Sequence, residues 1–401
     1  MLRNFFTFLV ISISFVACKT VQKSSQTDDQ SATAATEHQK NDSLSSTQTD
    51  STLIAVDSSL LQDSVKISMH PVKKDTLHII GVGDIMIGTN FPNSSYLPID
   101  SGKHMLADVK PVLLDADLTF GNQEGVILNE GGTQKNCSNP DLCYLFRSPE
   151  YLVQHYVDAG FDLMSLANNH AGDFGDEGRK NTMRVLDSLG IHHSGQLTHP
   201  FTIFEKENIT YGFVSFSPNY GTQSINNIPE AVGIVKHLDS LSDIVIVSFH
   251  GGAEGKKFQH VTRETEEFYG ENRGNVYKFS HEVIDAGADI VFGHGPHVAR
   301  AIEVYKNRFI AYSLGNFATY GRFNLSGESG LAPIVKIQVD SKGVFIEGKI
   351  ISAIQVGGGI PTIDPQHRAA LKIKELTESD FPESKILIDL EGNIRYLHDQ
   401  Y

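Results

Sequence analysis

Five short stretches of this 401-residue sequence concentrate side chains able to bind a cation or move a proton. They are Gly83-Asp84-Ile85-Met86, Gly121-Asn122-Gln123-Glu124, Asn168-Asn169-His170 with Asp173 close behind, His250-Gly251-Gly252, and Gly293-His294-Gly295-Pro296-His297. Asp84 and Glu124 offer carboxylate oxygens, the asparagines offer amide oxygens, and the histidines offer ring nitrogens. Glycine clears room for a close ligand, and the proline between His294 and His297 stiffens the spacing of two imidazoles. Singly, each stretch has an ordinary structural reading: a turn aspartate, a cap, or a histidine satisfying a backbone carbonyl. Together they form a set that packing alone does not require.

Mixed nitrogen and oxygen donors without cysteine suit zinc, manganese or iron rather than calcium or an iron–sulfur cluster. The number of donors implies two divalent ions. Such a pair, roughly 3.5–4 Å apart, activates water and stabilises both oxygens of a displacement at phosphorus.

Each stretch follows an apolar run that reads as a buried strand, the end at which open parallel sheets present their ligands. These runs are 77–82, the one ending at Phe120, 161–167, 243–249 and 289–292. Helical patterns alternate with them. Ser148 reads as an N-cap with Pro149 at the first helical position and Gly160 as the stop; further helices span about 177–189, closed by Gly190, and 276–286. The alternation implies an α/β layered fold with a largely parallel or mixed central sheet flanked by helices. From 332 to 352 the pattern changes to a hairpin about Asp340-Ser341-Lys342-Gly343, followed by a modest helix near 367–376 and a strand near 386–389.

In this order the motifs resemble the capsule-synthesis CapA family, a branch similar to calcineurin-like metallophosphoesterases, over about residues 77–354. Tyr312-Ser313-Leu314-Gly315-Asn316-Phe317, Phe146-Arg147-Ser148-Pro149 and Asp173-Phe174-Gly175 belong to the same resemblance. It implies a metallophosphatase-like fold in which Asp84 ligates a first metal, Asn122 or Glu124 replaces the usual bridging aspartate, and Asn169 binds a second metal. His250, His294 and His297 then complete the metal shell, and His170 stands where such enzymes place an acid or a transition-state stabiliser. Met86 departs from the wider superfamily, which has a histidine there. Glu254 is a ligand, a group orienting His250, or a surface residue. Asn168 and Arg147 are candidates for substrate contact, Arg147 with an ordinary structural ion pair as its alternative. The resemblance also implies work on poly-gamma-glutamate, so two functions are carried forward: a phosphoesterase-type hydrolase, and a non-catalytic envelope subunit that binds or exports an anionic polymer alongside capsule-synthesis machinery.

A net charge of −15 argues against nucleic acid held by a general basic field. An anionic polymer or phosphoester instead needs a local positive focus, which bound metal supplies. Arg3 and the apolar run 5–17 read as a signal peptide, and Phe15-Val16-Ala17-Cys18 resembles a lipobox that would tether the chain to a membrane of the cell envelope through Cys18. The expected division is a signal peptide at 1–17, a lipidated cysteine and Ser/Thr-rich disordered tether at 18–75, the catalytic-type domain at 76–357, and a C-terminal extension at 358–401 packed on it. Cys137 and Cys143 read as a disulfide of an oxidising compartment or as two inert thiols. Replacing Cys18 by serine is expected to move the protein from the membrane fraction to the soluble one; unchanged fractionation would refute the anchor.

Overall fold

Apolar residues on both faces make the run from Leu77 to Val82 a central strand. It forms Thr76–Met86 and is fully buried from Ile79 onward. Leu77 and Ile79 enter one core cluster while Ile80 and Val82 enter another, so a single strand feeds two apolar layers. The computed structural model describes residues 73–137 and 143–397, all within the unit Ser68–Tyr401. The expected signal peptide, Cys18 and the expected tether as far as residue 72 lie outside the described residues.

Two mixed sheets carry the fold among the described residues. In the nine-stranded sheet, Thr76–Met86 runs parallel to Leu118–Gln123 and to Asn316–Thr319, with Leu163–Ser165 and His192–Ser194 continuing the parallel half. Its other half is antiparallel, through Ile334–Asp340 and Phe345–Ile351. The six-stranded sheet has a parallel centre of Ile209–Phe216, Ile244–His250, Ile290–His294 and Arg308–Ala311, with antiparallel edges Phe201–Lys206 and Ile302–Tyr305.

The sheets pack face to face. Phe120 of the first stacks on Phe292 of the second at 5.1 Å and meets Phe213 edge-on at 5.7 Å. The helix Gly175–Ser188 covers the outer face of the first sheet through Val185 and Leu186, and Ile228–Asp239 with Val276–Asp285 cover that of the second. The layered α/β architecture therefore contains two central sheets where the sequence pattern implied one. Period-2 patterning cannot assign a buried strand to one of two stacked sheets, because both faces of each are apolar.

Other differences are local. The segment after Ser148 is a 3-10 turn, Glu150–Val153, running into the short helix Gln154–Asp158. Ser148 does not cap it, because its hydroxyl donates to the Gly88 carbonyl while its backbone lies in the strand Arg147–Ser148. The C-terminal segment does more than rest on the surface. Its helix Arg368–Asp380 places Ala370 and Ile373 in the core shared by the two sheets, and the hairpin Ile386–Ile388/Asn393–Tyr396 extends the first sheet. No helix among the described residues is long and apolar enough to cross a membrane.

Asp84 is fixed in place by a close approach of two backbones. A Cβ on Gly83 would lie 2.1 Å from the Gly315 carbonyl oxygen, the atom that accepts the Asp84 N–H at 2.8 Å. Gly83→Ala must push these backbones apart, and urea unfolding is expected to show a loss of about 1–3 kcal/mol or more. Gly233→Ala, on a helix where an added Cβ meets nothing within 4 Å, should leave stability unchanged or slightly raised.

Candidate metal centre

Asp84 and Asn122 are register partners on parallel neighbouring strands, so their side chains emerge side by side. Both lie inside their strands, which run through the two motifs rather than stopping before them. Asn122 Nδ2 donates to Asp84 Oδ1 at 2.9 Å and to Glu124 Oε2 at 2.8 Å. Carboxylates only accept, which sets the orientation of this amide. Its Oδ1 is already taken by Asn168 Nδ2 at 3.2 Å; Asn168 also donates to the Gln123 carbonyl and accepts from the His170 N–H. Asn122, expected as a ligand, orients the two carboxylates through its amide nitrogen, and Asn168, expected to meet substrate, holds Asn122 and His170.

The second sheet delivers the imidazoles. His250 and His294 are register partners at the ends of adjacent parallel strands. His294 Nε2 lies 3.1 Å from the Val82 carbonyl, across the interface between the sheets. A carbonyl cannot donate, so the ring proton sits on Nε2 and Nδ1 keeps its lone pair. His250 Nδ1 is 3.8 Å from Glu124 Oε2. Burial first, then neighbouring cationic groups, hold the His250 pKa well below the usual histidine range, and burial lowers that of His294. Both rings are therefore neutral at physiological pH, the form that ligates.

Asp84, Glu124 and His250 bring donor atoms within 4.8 Å of one another, and all three are wholly buried. For Glu124, burial and then the Asp84 charge push the pKa up to about 7. His297, in the left-handed region at φ 56°, sets its Nδ1 2.8 Å from Asp84 Oδ2. Burial works to lower its pKa, but the Asp84 hydrogen bond and charge prevail and push it up to about 9. His170 is likewise raised: its Nδ1 lies 2.7 Å from Asp173 Oδ2, which outweighs burial, while its Nε2 stands 3.9 Å from Glu124 Oε1.

Several buried atoms here have no hydrogen-bond partner: Glu124 Oε1, both ring nitrogens of His250, His294 Nδ1 and Asn169 Oδ1. Leaving a buried polar group unsatisfied costs about 1–3 kcal/mol. Such groups gathered around two carboxylates, and rich in acceptors, are what a divalent cation would satisfy, and the oxygen and nitrogen donors suit zinc, manganese or iron. Met86 is fully buried, two residues beyond Asp84.

A cavity of about 370 Å3 opens beside this cluster, lined among others by Asn169, His170, Glu254 and His297. Arg147 does not line it. Its guanidinium donates to Asn90 Oδ1 and the Gly131 carbonyl and lies 4.8 Å over the Phe174 ring, so it braces loops, and among the described residues it has no carboxylate partner. Glu254 is held by Arg273 Nη2 at 3.1 Å. Cys137 and Cys143 form a disulfide on the cavity wall. Sequence reasoning passed over Lys135, Phe146, Arg322 and Phe323, which line the same cavity, and Arg300, which with Glu266 supports the loop after His250 by gripping Ala253. Only Phe146 stands in a motif noted beforehand; the others had no local signal.

The family described as "Bacterial capsule synthesis protein PGA_cap" matches residues 78–320. The chain is 27% identical over 316 residues to the capsule biosynthesis protein CapA of Bacillus anthracis, covering 73% of this chain and 71% of that one. It is 29% identical over 261 residues to the PGA biosynthesis protein CapA of Bacillus subtilis (strain 168), covering 61% and 63%. Among solved structures, the calcineurin-like phosphoesterase YfkN of Bacillus subtilis aligns with a TM-score of 0.40 at 12% identity, over 77% of this chain and 96% of that one.

In the metal-free protein His297 and Glu124 both hold protons near neutrality, so a cation binding there must displace them. Metal affinity is therefore expected to rise from pH 6 to pH 9 and to fall as pH drops. Titration calorimetry in buffers of different ionisation enthalpy would register the released protons. His250→Ala and His294→Ala should each lower affinity by about tenfold or more and so cut metal-induced thermal stabilisation from about 2.7 kcal/mol, for a metal at a hundred times its wild-type Kd, to about 1.4 kcal/mol or less. His192→Ala, whose ring stacks on Phe204, should do neither. Full metal content in the His250 and His294 variants would refute the centre.

Proposed function

This chain belongs to the bacterial capsule synthesis family of the PGA_cap type, and from that premise we propose that it is an exported, lipid-anchored, metal-dependent hydrolase of the phosphoesterase type. It acts in the synthesis of a cell-envelope or capsular polymer of the poly-gamma-glutamate kind. The observation that carries the reading is the buried Asp84–Glu124–His250 cluster with its unpaired atoms, set beside the His170–Asp173 pair on a cavity. Asp84, Glu124, His250, His294 and His297, with Asn169, are the residues that would hold two divalent ions.

When bound, the metal supplies positive charge that polarises a phosphoryl oxygen. The chain's own groups do the rest. Asn122 holds the Asp84 and Glu124 carboxylates together, and Asp173 fixes the His170 ring through Nδ1 while also accepting the Phe146 N–H at 2.8 Å. Although burial opposes it, the Asp173 carboxylate raises the His170 pKa above the ordinary histidine value and so favours the protonated ring, whose Nε2 can give a proton to a leaving-group oxygen. Phe146, 4.3 Å from the His170 ring, shields it from water.

The alternative, a non-catalytic subunit that binds or exports an anionic polymer, is favoured by one observation. Two residues beyond Asp84 stands a buried methionine, Met86, at the position where the resemblance to the wider superfamily implies a histidine.

Metal analysis of the full chain, followed by assay against phosphoesters and gamma-glutamyl peptides, separates the two readings. His170→Ala is expected to lower kcat by about a hundredfold or more with metal content retained. Because His170 acts as an acid, the rate should fall as pH rises through its pKa; Asp173→Asn removes the raising charge and should move that alkaline limb to lower pH. Stoichiometric metal with no turnover of any ester or peptide would favour the binding subunit.

A further inference from the structure

Part of the cavity wall carries charge that the proposed chemistry leaves unused. Lys135 and Arg322 line it, and neither has a carboxylate partner among the described residues. Lys135 Nζ donates to the Asn169 backbone carbonyl at 2.8 Å. The Arg322 guanidinium is held between two aromatic rings, 4.8 Å from the centroid of Tyr96 and 5.0 Å from that of Tyr144. Glu254, the carboxylate on the lining, is already engaged by Arg273. In a chain of net charge −15, this wall presents two cations with no carboxylate paired to them among the described residues.

Aromatic rings join this wall to the reacting groups. Phe323, next to Arg322, stacks on Phe146 at 5.0 Å and meets the His297 ring edge-on at 5.7 Å, while Phe146 lies against His170. Apolar surroundings strengthen a charge–charge contact made there. An arginine already confined by two rings loses little further freedom on binding, and its fork matches a carboxylate or phosphate with two parallel hydrogen bonds. A single phosphoryl group at the metal cluster has its counter-charges in the cation and His170. Two more cations facing the same space fit a ligand with a second anionic group.

We propose that Arg322, assisted by Lys135, receives a second anionic group of the substrate, so that the site selects phosphoesters whose leaving portion itself carries a carboxylate or phosphate. The proposal rests on the phosphoesterase reading and narrows its substrate class. Arg322 is then a specificity-determining residue, and Tyr96 and Tyr144 are positioning residues for it.

The test compares kcat/KM of the metal-loaded full chain on phenyl phosphate, 4-carboxyphenyl phosphate and 1,4-phenylene bisphosphate. Wild type should prefer at least one of the charged esters by about tenfold or more, chiefly through KM, and the better of the two tells carboxylate from phosphate. In Arg322→Ala that ratio should fall towards one, with Arg322→Lys keeping part of it. Lys135→Met provides a second reading that does not disturb the tyrosine sandwich. Equal kcat/KM for all three esters in wild type, or an unchanged ratio in both the Arg322→Ala and Lys135→Met proteins, overturns the proposal. If no ester is turned over, the phosphoesterase reading fails instead. The second-anion site is then read from thermal-shift titration with phosphonoacetate against methylphosphonate. Tighter binding of phosphonoacetate that Arg322→Ala abolishes upholds it, and equal binding of the two overturns it.

Discussion

Two carboxylates with no solvent exposure, Asp84 and Glu124, share the amide of Asn122 at the junction of the two sheets. Burying one carboxylate is costly, and burying two together adds their mutual repulsion. The surrounding arrangement answers that cost. Asn122 donates to both acids, His297 faces Asp84, and His170 and His250 face Glu124. What remains unanswered, the free Glu124 oxygen and the bare imidazole nitrogens, defines the place where a cation fits.

The same groups tie the layers together. His294 reaches the Val82 carbonyl and His297 reaches Asp84, so hydrogen bonds from the second sheet end on the central strand of the first. Below them Phe120, Phe213 and Phe292 fill the space between the sheets. Because the donors stand in or beside strands whose opposite ends are locked in a shared core, they cannot drift apart without opening that core. Loops that line the cavity are less constrained. Lys135 and Arg322 sit on irregular segments, one beside the Cys137–Cys143 disulfide and one past the strand Asn316–Thr319, and such segments set which ligand fits without disturbing the carboxylates.

Much of this was legible in advance. Alternating apolar runs and helical patterns foretold an α/β layered fold, and the strands Ile244–His250 and Ile290–His294 fall where those runs lie. The edges were not legible. Phe201–Lys206 and Ile302–Tyr305 are short antiparallel partners in which only Phe204, Ile302 and Val304 are buried, and nothing in their own sequence says which strand they will join.

By itself the sequence determined the inventory of chemistry: two acids, amides and histidines, most of them next to glycine and all close to the end of an apolar run. That comes from local rules, since strand ends and tight turns are written in neighbouring residues. Only the tertiary structure decided what each member does. Asn122 clamps the two acids because the acceptors nearest its amide nitrogen arrive on Asp84 and Glu124, while its oxygen accepts from Asn168. Arg147 was taken out of the cavity by Asn90 and Phe174, and Arg322 was brought in beside Tyr96 and Tyr144. A hydrogen bond depends on which distant chain segment comes within about 3 Å, and no local pattern encodes that.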